Sequence, residues 1–325
     1  MNHLLFQVED RPPLLMTVLL AAQHMLAALG GIIAVPLVVG AALQLPSEQI
    51  ITLINAALLG SGIVTLIQCK GVGPIGIRLP CVMGTSFAFV GAAISVGLEH
   101  GVSGILGSSL AGSVVMIGGS FFMPQIRKLF PHAVTGVVVT MIGLQLVPVA
   151  VDWAAGGHAP GAVYGDPANL GIAAFVLATV ILLVQYGKGI VSAAAVVIGM
   201  FIGYLLCAAL GMINFDKVLH AQVFALPQPL HYGLSFPVSG MVAMAVAFLV
   251  TLVETTGTFM ALGAATNTKM RGKTLARGIL CDGVGSAFAA LLSSPPVSTF
   301  AQNVGVVSLT GVASRHVVAL TGVML

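Results

Sequence analysis

The chain has 325 residues, of which 58% are hydrophobic and only 6% are charged, and its mean hydropathy is +1.09. Soluble globular domains carry about 25% charged residues, so this composition excludes an ordinary soluble domain and predicts a polytopic membrane protein. The net charge of +3 comes from scattered basic residues, so no nucleic-acid partner is expected.

Apolar runs of spanning length follow one another along the whole chain. We place spans at 14–41, 49–69, 81–98, 102–123, 132–151, 169–187, 189–213, 236–264, 274–293 and 298–311, with a last span beginning near Ser314. The residues before the first span include acidic residues and two prolines but no basic n-region. They are therefore interpreted as a short cytoplasmic tail and not as a signal peptide.

The charged residues support this division. With the N-terminus in the cytoplasm, every lysine and arginine except Lys217 falls on the cytoplasmic side. Such a bias follows the positive-inside rule and predicts a multi-pass inner-membrane protein. The four cysteines, Cys69, Cys81, Cys207 and Cys281, have neither metal-site nor redox-pair spacing and are interpreted as apolar filling. No metal or cofactor is expected.

Two short spans share an unusual pattern. The third begins "LPCVMGTSFAF" and the tenth "PPVSTFAQNVG". Each has proline, then a stretch that favours a short strand, then a polar point where a helix begins. Short interrupted spans at matching positions of two inverted halves are typical of a transporter's binding site.

Seven spans separate one pattern from the other, and an odd number inverts the second copy in the membrane. The sequence therefore predicts an all-α polytopic membrane protein with an inverted seven-span repeat and short strands in spans 3 and 10. A repeat of this length implies a longer protein, so we expect the chain to be truncated near the start of span 11.

Two acidic residues lie inside predicted spans. Glu254, in "LVETTG", is expected to contact a ligand or carry a proton, because a charge at the bilayer centre costs about 2.5 to 3.5 kcal/mol on insertion scales. The alternative is a structural pair with a buried cation. Asp282, in "LCDGVG", is expected to couple protons or support the site. Its alternative is orienting a hydroxyl or backbone group at a helix contact.

Amides and an aromatic ring mark the two interrupted spans. Gln302 and Asn303 follow the break in the tenth span, where a helix N-terminus and side-chain amides suit a polar planar ring. Asn303 could instead cap that half-helix, or do so while Gln302 binds. Ser86 and Phe87 hold the matching point of the third span, where a backbone N–H could donate and a ring could stack. His24, in "AAQHMLA", lies alone within a span, and two interpretations stay open: a structural histidine with satisfied hydrogen bonds, or a functional one.

The motifs "AAQHMLA", "GTSFAF", "ETTG" and "QNVGVVSLTG" together resemble the nucleobase–ascorbate transporter family, also called nucleobase:cation symporter-2. The "EDRPPL" start and "LTGVASR" look most like its bacterial xanthine and urate permeases. The resemblance implies fourteen spans in two inverted repeats. It assigns a core domain to 1–131 and 236–325 and a gate domain to 132–213, with gate spans 12–14 absent from this chain. It also favours a homodimer.

The resemblance also implies roles for single residues. Glu254 and Gln302 would hold the purine edge, and Phe87 would give backbone and ring contacts. Asp282, Asn303 and His24 would support the site or the proton path. Thr258 stands where some relatives have an ionisable residue, which places more of the coupling on Glu254.

The expected function is proton-coupled import of a purine, xanthine or urate, with the proton gradient as the driving force. The alternatives are a channel or uncoupled facilitator on the same fold, and an inactive truncated product. A membrane enzyme is disfavoured because the sequence has no nucleophile–base set.

Overall fold

In a computed structural model, the described residues are 4–123, 163–187, 195–213 and 228–325, with a few isolated positions between 125 and 191. The chain divides into two compact units. One unit comprises Met1–Ile142 and Pro227–Leu325, and the other comprises Gly143–Leu226. The predicted fifth span, 132–151, lies almost wholly outside the described residues. The core and gate domains stay a prediction.

Helices account for most of the described chain. The bounds are α1 Leu14–Ala42, α2 Ser47–Lys70, α3 Val90–Phe121, α4 Pro167–Tyr186, α5 Ala195–Ala209, α6 Val238–Ala265, α7 Gly272–Leu291, α8 Ala301–Thr310 and α9 Arg315–Met324. Six helical segments of the described residues are long and apolar enough to cross a membrane. The polytopic, mainly helical architecture predicted from composition is therefore confirmed. The seven-span inverted repeat stays a prediction.

Prolines and charged residues lie at several helix ends. Prolines 13, 46 and 237 precede α1, α2 and α6. Proline there suits a helix start, because its fixed φ is compatible and its missing N–H would lack an intrahelical partner. In α2, the acidic Glu48 lies in the first turn and the basic Lys70 in the last, and each charge interacts favourably with the helix macrodipole.

The third and fourth predicted spans form one helical run. A 3-10 turn, Phe87–Phe89, leads directly into α3, and the run is broken at Gly101, where φ is 66° and ψ is −171°. A helix as long as Phe87–Phe121 would measure about 52 Å at about 1.5 Å per residue, well beyond the ~30 Å hydrocarbon core. The break at Gly101 therefore lies where the sequence divides 81–98 from 102–123.

Two three-residue strands, β1 Met83–Thr85 and β2 Val297–Thr299, form an antiparallel pair. Gly84 lies opposite Ser298 in the register. The pairing continues past both strands, because Phe300 N donates to Val82 O at 3.0 Å and Ser86 N donates to Pro296 O at 3.2 Å. The short strands predicted in the third and tenth spans are therefore present, and they pair with each other.

Hydrogen bonds with three helices anchor the strand pair. Thr65 Oγ1 of α2 accepts from Met83 N at 2.9 Å, and Ser286 Oγ of α7 donates to Val297 O at 2.7 Å. In α1, Pro36 has no N–H, so the carbonyl of Ile32 loses its usual helical partner. Thr85 Oγ1 donates to that carbonyl at 2.9 Å. The proline in α1 thus creates the acceptor that holds the end of β1.

The second unit contains α4 and α5, which pack through small residues. A Cβ added to Gly203 would lie 2.6 Å from Val176 Cγ2. Close approach at glycine is a common basis of helix packing in membranes, where lipid is as apolar as leucine.

The Ile32–Thr85 bond can be tested by a double-mutant cycle. Thr85→Val should lower the thermal unfolding midpoint, because an unpaired buried carbonyl costs roughly 1 to 3 kcal/mol. Thr85→Ser should lower it much less, since the hydroxyl remains. In a Pro36→Ala background the new N–H can donate to Ile32 O, so Thr85→Val should cost less. If Thr85→Val lowers the unfolding midpoint equally in the two backgrounds, this explanation of the Thr85 bond is contradicted.

Candidate functional site

The paired strands bring two helix starts to the same place. The 3-10 turn follows β1 directly, and Ser86 Oγ caps it by accepting from Ala88 N at 3.3 Å. The half-helix α8 follows β2, with Phe300 at its N-cap position. Because the strands are antiparallel, the two helical segments leave the pair in opposite directions. Each of them therefore begins directly after one strand of the pair, and a helix N-terminus carries N–H groups without intrahelical partners and a positive partial charge.

Phe300 fixes the beginning of α8. Its ring packs against Gly84 of β1 and Gly31 of α1, and a Cβ at Gly84 would lie 2.4 Å from its Cζ atom. The ring is 5% exposed and belongs to an apolar cluster with Ile32 and Val82. Glycine at position 84 leaves the space that this ring fills.

Asn303 and His24 join α8 to α1. Nδ2 of Asn303 lies 3.1 Å from the backbone oxygen of His24 and 3.1 Å from its Nδ1 atom. The carbonyl oxygen only accepts, so the amide NH₂ donates, and Nδ1 accepts the second bond. A neutral His24 ring therefore carries its proton on Nε2. Both side chains are 1% exposed.

These contacts correct one interpretation of Asn303. The sequence left open that Asn303 caps α8, but the N-cap residue is Phe300, which makes no side-chain cap bond. Asn303 lies inside the helix, and its amide is already engaged with His24. The break falls three residues earlier than an Asn303 cap requires, because Phe300 N pairs with Val82 O and continues the sheet.

Glu254 lies in the second half of α6, which contacts the 3-10 turn, β2 and α8. Its Oε2 atom is buried and has no hydrogen-bond partner among the described residues. The structural alternative, a buried cation paired with this carboxylate, finds no such cation in the described part of the chain. Buried polar atoms without a partner are rare in folded proteins, and each one requires an explanation.

The other predicted contact residues lie on the two helix starts. Gln302 is in the first turn of α8, and its side chain is exposed. Phe87 begins the 3-10 turn and is half-buried. Oδ1 of Asn303 is a further buried atom without a partner among the described residues. Glu254, Gln302 and Phe87 therefore lie on three elements. The helix of Glu254, α6, contacts the other two, the 3-10 turn and α8.

Asp282 accepts hydrogen bonds from three elements. Its carboxylate receives Gln68 Nε2 of α2 at 3.0 Å and Thr255 Oγ1 of α6 at 2.9 Å. From β2 it receives Thr299 N at 3.2 Å and Thr299 Oγ1 at 3.1 Å. These are the contacts that the structural alternative predicts, with a backbone group and hydroxyls held at a helix contact. A role in proton coupling stays a prediction.

The sequence reasoning missed the partners of Asp282. Gln68 links the carboxylate to the loop after α2, because its Oε1 accepts from Ile77 N at 2.9 Å. Gln68 is 0% exposed, and the signal available in the sequence was a glutamine near the end of an apolar span. Gln23, beside His24, was also missed, and its Nε2 is buried without a partner among the described residues.

Comparison with known proteins now places this geometry in a family. A family model named Xan_ur_permease, described as a permease family, matches residues 15–325. The chain belongs to the nucleobase–ascorbate transporter family. The resemblance found in its four motifs is thereby confirmed. This family consists of permeases, so the protein is a membrane transporter and not an enzyme.

Individual relatives agree with this family assignment. The chain is 38% identical over 310 residues to the xanthine permease of Bacillus subtilis, covering 95% of this chain and 70% of the relative. It is 38% identical over 313 residues to the uric acid transporter UacT of Escherichia coli, covering 95% and 64%. Among solved structures, it resembles the transmembrane domain of a cyanobacterium bicarbonate transporter, BicA, with a TM-score of 0.67 and 14% identity. That likeness covers 98% of this chain and 83% of BicA and concerns the fold alone.

The Asp282 network of this nucleobase–ascorbate transporter can be tested by an isosteric substitution. Asp282→Asn should lower the thermal unfolding midpoint strongly, because the new NH₂ group would face donors and leave at least one unpaired. Asp166→Asn is the matched control. Asp166 caps α4 by accepting from Ala168 N at 3.0 Å, and asparagine caps a helix about as well as aspartate. If both variants shift the midpoint equally, the network does not hold the strands.

Proposed function

We propose that the protein is a proton-coupled symporter that imports a purine nucleobase, xanthine or urate, across the inner membrane by alternating access. The observation that carries the proposal is the β1–β2 pair, after which two helical segments begin, with the helix of Glu254 packed against both segments. Relatives named a xanthine permease and a uric acid transporter support the choice of substrate.

The chemistry of the site suits an oxidised purine. Each helix N-terminus carries a partial positive charge of about half a unit and free N–H donors, which favour carbonyl oxygens or a weakly acidic ring. Purine N–H groups need acceptors, and a carboxylate takes two parallel N–H bonds well. Glu254 would accept these bonds, and the Gln302 amide would form further hydrogen bonds to the same purine edge. The ring of Phe87 would lie against the flat face.

The remaining site residues would hold this arrangement. His24 and Asn303 would fix the first turn of α8 against α1, and Ser86 would fix the 3-10 turn. Asp282 would fix β2. The buried Oδ1 of Asn303 would remain available to the substrate.

Proton coupling would rest mainly on Glu254. Thr258, one turn later, donates its hydroxyl to the backbone oxygen of Glu254 at 3.1 Å and has no ionisable group. Protonation of the Glu254 carboxyl would change it from an acceptor to a donor at the substrate edge. The proton and the purine would then bind in a mutually dependent way, as symport requires.

The architecture implied by the family completes the proposal. We place the chain in a fold of two inverted seven-span repeats, with a core domain that carries the site, a gate domain, and a homodimeric assembly. The antiparallel strand pair supports the inversion, because the two interrupted spans enter the pair from opposite directions. The positive-inside distribution supports a cytoplasmic N-terminus.

The proposal predicts that the protein expressed from its complete gene takes up radiolabelled xanthine or urate and that an uncoupler abolishes the uptake. Glu254→Gln should also abolish it, because glutamine can neither carry the proton nor accept two N–H bonds. Glu48→Gln is the matched control and should leave uptake unchanged, since Glu48 is exposed in the first turn of α2.

Three results would overturn parts of this proposal. Saturable uptake that persists with an uncoupler would indicate an uncoupled facilitator. Currents without saturable uptake would indicate a channel. Unchanged uptake and unchanged pH dependence in Glu254→Gln would remove Glu254 from the site.

A further inference from the structure

Residues 5–10 do not form a free tail. Residues 5–10, here called the N-terminal strap, run alongside residues 311–315, and Phe6 forms a parallel bridge with Val312. Four backbone hydrogen bonds join the two segments: Leu5 N to Gly311 O at 2.8 Å, Phe6 N to Gly311 O at 3.3 Å, Ala313 N to Phe6 O at 2.9 Å, and Arg315 N to Val8 O at 3.0 Å.

Side chains strengthen the same contact. Arg315 donates to the Glu9 carboxylate at 2.7 and 3.0 Å, and Ser314 Oγ donates to Asp10 O at 2.6 Å. The Arg315 guanidinium also donates to the backbone oxygens of Cys69 and Lys70, at 3.2 and 3.4 Å. These carbonyls lie in the last turn of α2, where helical partners are missing. Arg315 therefore ties the strap to both α9 and α2.

The strap meets the chain at the end of the half-helix that carries Gln302. Gly311 is the C-cap of α8, with φ 68° and ψ 13°, a left-handed conformation that favours glycine. Its carbonyl oxygen accepts two strap N–H groups. The strap thus binds the residue that ends α8.

A helix as short as α8 needs support at both ends. It has 10 residues, and isolated helices shorter than about 12 to 15 residues are marginal even in favourable sequences. Its first turn is held by Phe300 and by the Asn303–His24 bonds. Its last turn is held by the strap. Release of either end would let the first turn, and with it Gln302, change its position.

We propose that the N-terminal strap is a positioning element of the transport site. By holding Gly311 and Arg315, residues 5–10 set the position of α8 and therefore of Gln302. The effect on purine affinity rests on the function proposed above, whereas the effect on α8 does not. The strap would act through α8 and not through contact with the substrate.

The test uses the protein expressed from its complete gene, with three strap variants. Deletion of residues 2–8 removes the backbone bonds, Leu5→Pro removes one N–H donor to Gly311, and Glu9→Gln removes the ion pair with Arg315. Glu9→Asp keeps that charge and should restore normal behaviour. Glu48→Gln is the control, with the same loss of charge at an exposed position outside the strap.

Two measurements are made on each purified variant: the Kd for xanthine and urate, and amide hydrogen exchange across 301–311 and 272–291. The deletion should raise the Kd of the folded protein about tenfold and Glu9→Gln about threefold. Exchange should rise in 301–311 while 272–291 stays unchanged. In transport assays KM should rise more than the maximal rate falls.

The outcomes separate this inference from the proposed function. Unchanged exchange across 301–311 in all three variants overturns it, whether or not the parent protein binds a purine. Faster exchange with an unchanged Kd per folded molecule also overturns it, because the strap would then only add stability. If the deletion does not fold, Leu5→Pro and Glu9→Gln decide. If the parent protein binds neither purine, the proposed function fails, and the exchange data alone support or overturn the strap's hold on α8.

Discussion

The pairing of β1 with β2 is the interaction on which the rest of the structure depends. A chain that interrupts a helix within a membrane leaves backbone N–H and C=O groups without water to pair them, and each such group costs several kcal/mol. Here two interruptions satisfy each other, with Gly84 opposite Ser298. Groups at the edges of the pair are satisfied by side chains from α2 and α7, and Thr85 of β1 donates its hydroxyl to the Ile32 carbonyl of α1.

This solution of a backbone problem also creates the chemistry of the site. Antiparallel strands send the helices that follow them in opposite directions, so each helix begins beside the pair, and α6 packs against both helix starts. The same strands bring α6 alongside and leave a buried carboxylate atom of Glu254 unpaired among the described residues. Asp282, at first sight a similar intramembrane acid, is saturated with donors from three elements. Two carboxylates within spans therefore have different hydrogen-bond surroundings.

Much of this could be read from the sequence. The six apolar helices of spanning length among the described residues, the short strands after "LP" and "PP", and the start of α9 next to Ser314 follow from hydropathy, proline placement and capping. Glu254 was identifiable because a charge within an apolar run is costly. The family followed from four motifs in order along the chain.

The rest depends on contacts between distant parts of the chain. His24 and Asn303 are 279 residues apart, and Gln68 and Asp282 are 214 residues apart, so no local pattern predicts either bond. The cap of α8 was misplaced because an asparagine after a break resembles an N-cap, whereas sheet pairing extends to Phe300. The strap escaped prediction because its bonds to residues 311–315 are mainly backbone bonds, which leave almost no mark on sequence.

The central claim is that the two helix starts and α6 together form one purine site. The most direct measurement is an experimental structure of the protein expressed from its complete gene with xanthine bound. The account predicts density for the ring at the β1–β2 pair, with the Glu254 carboxylate and the Gln302 amide within about 3 Å of its edge and Phe87 against its face. Xanthine bound elsewhere, with Glu254 contacting only protein, would contradict it.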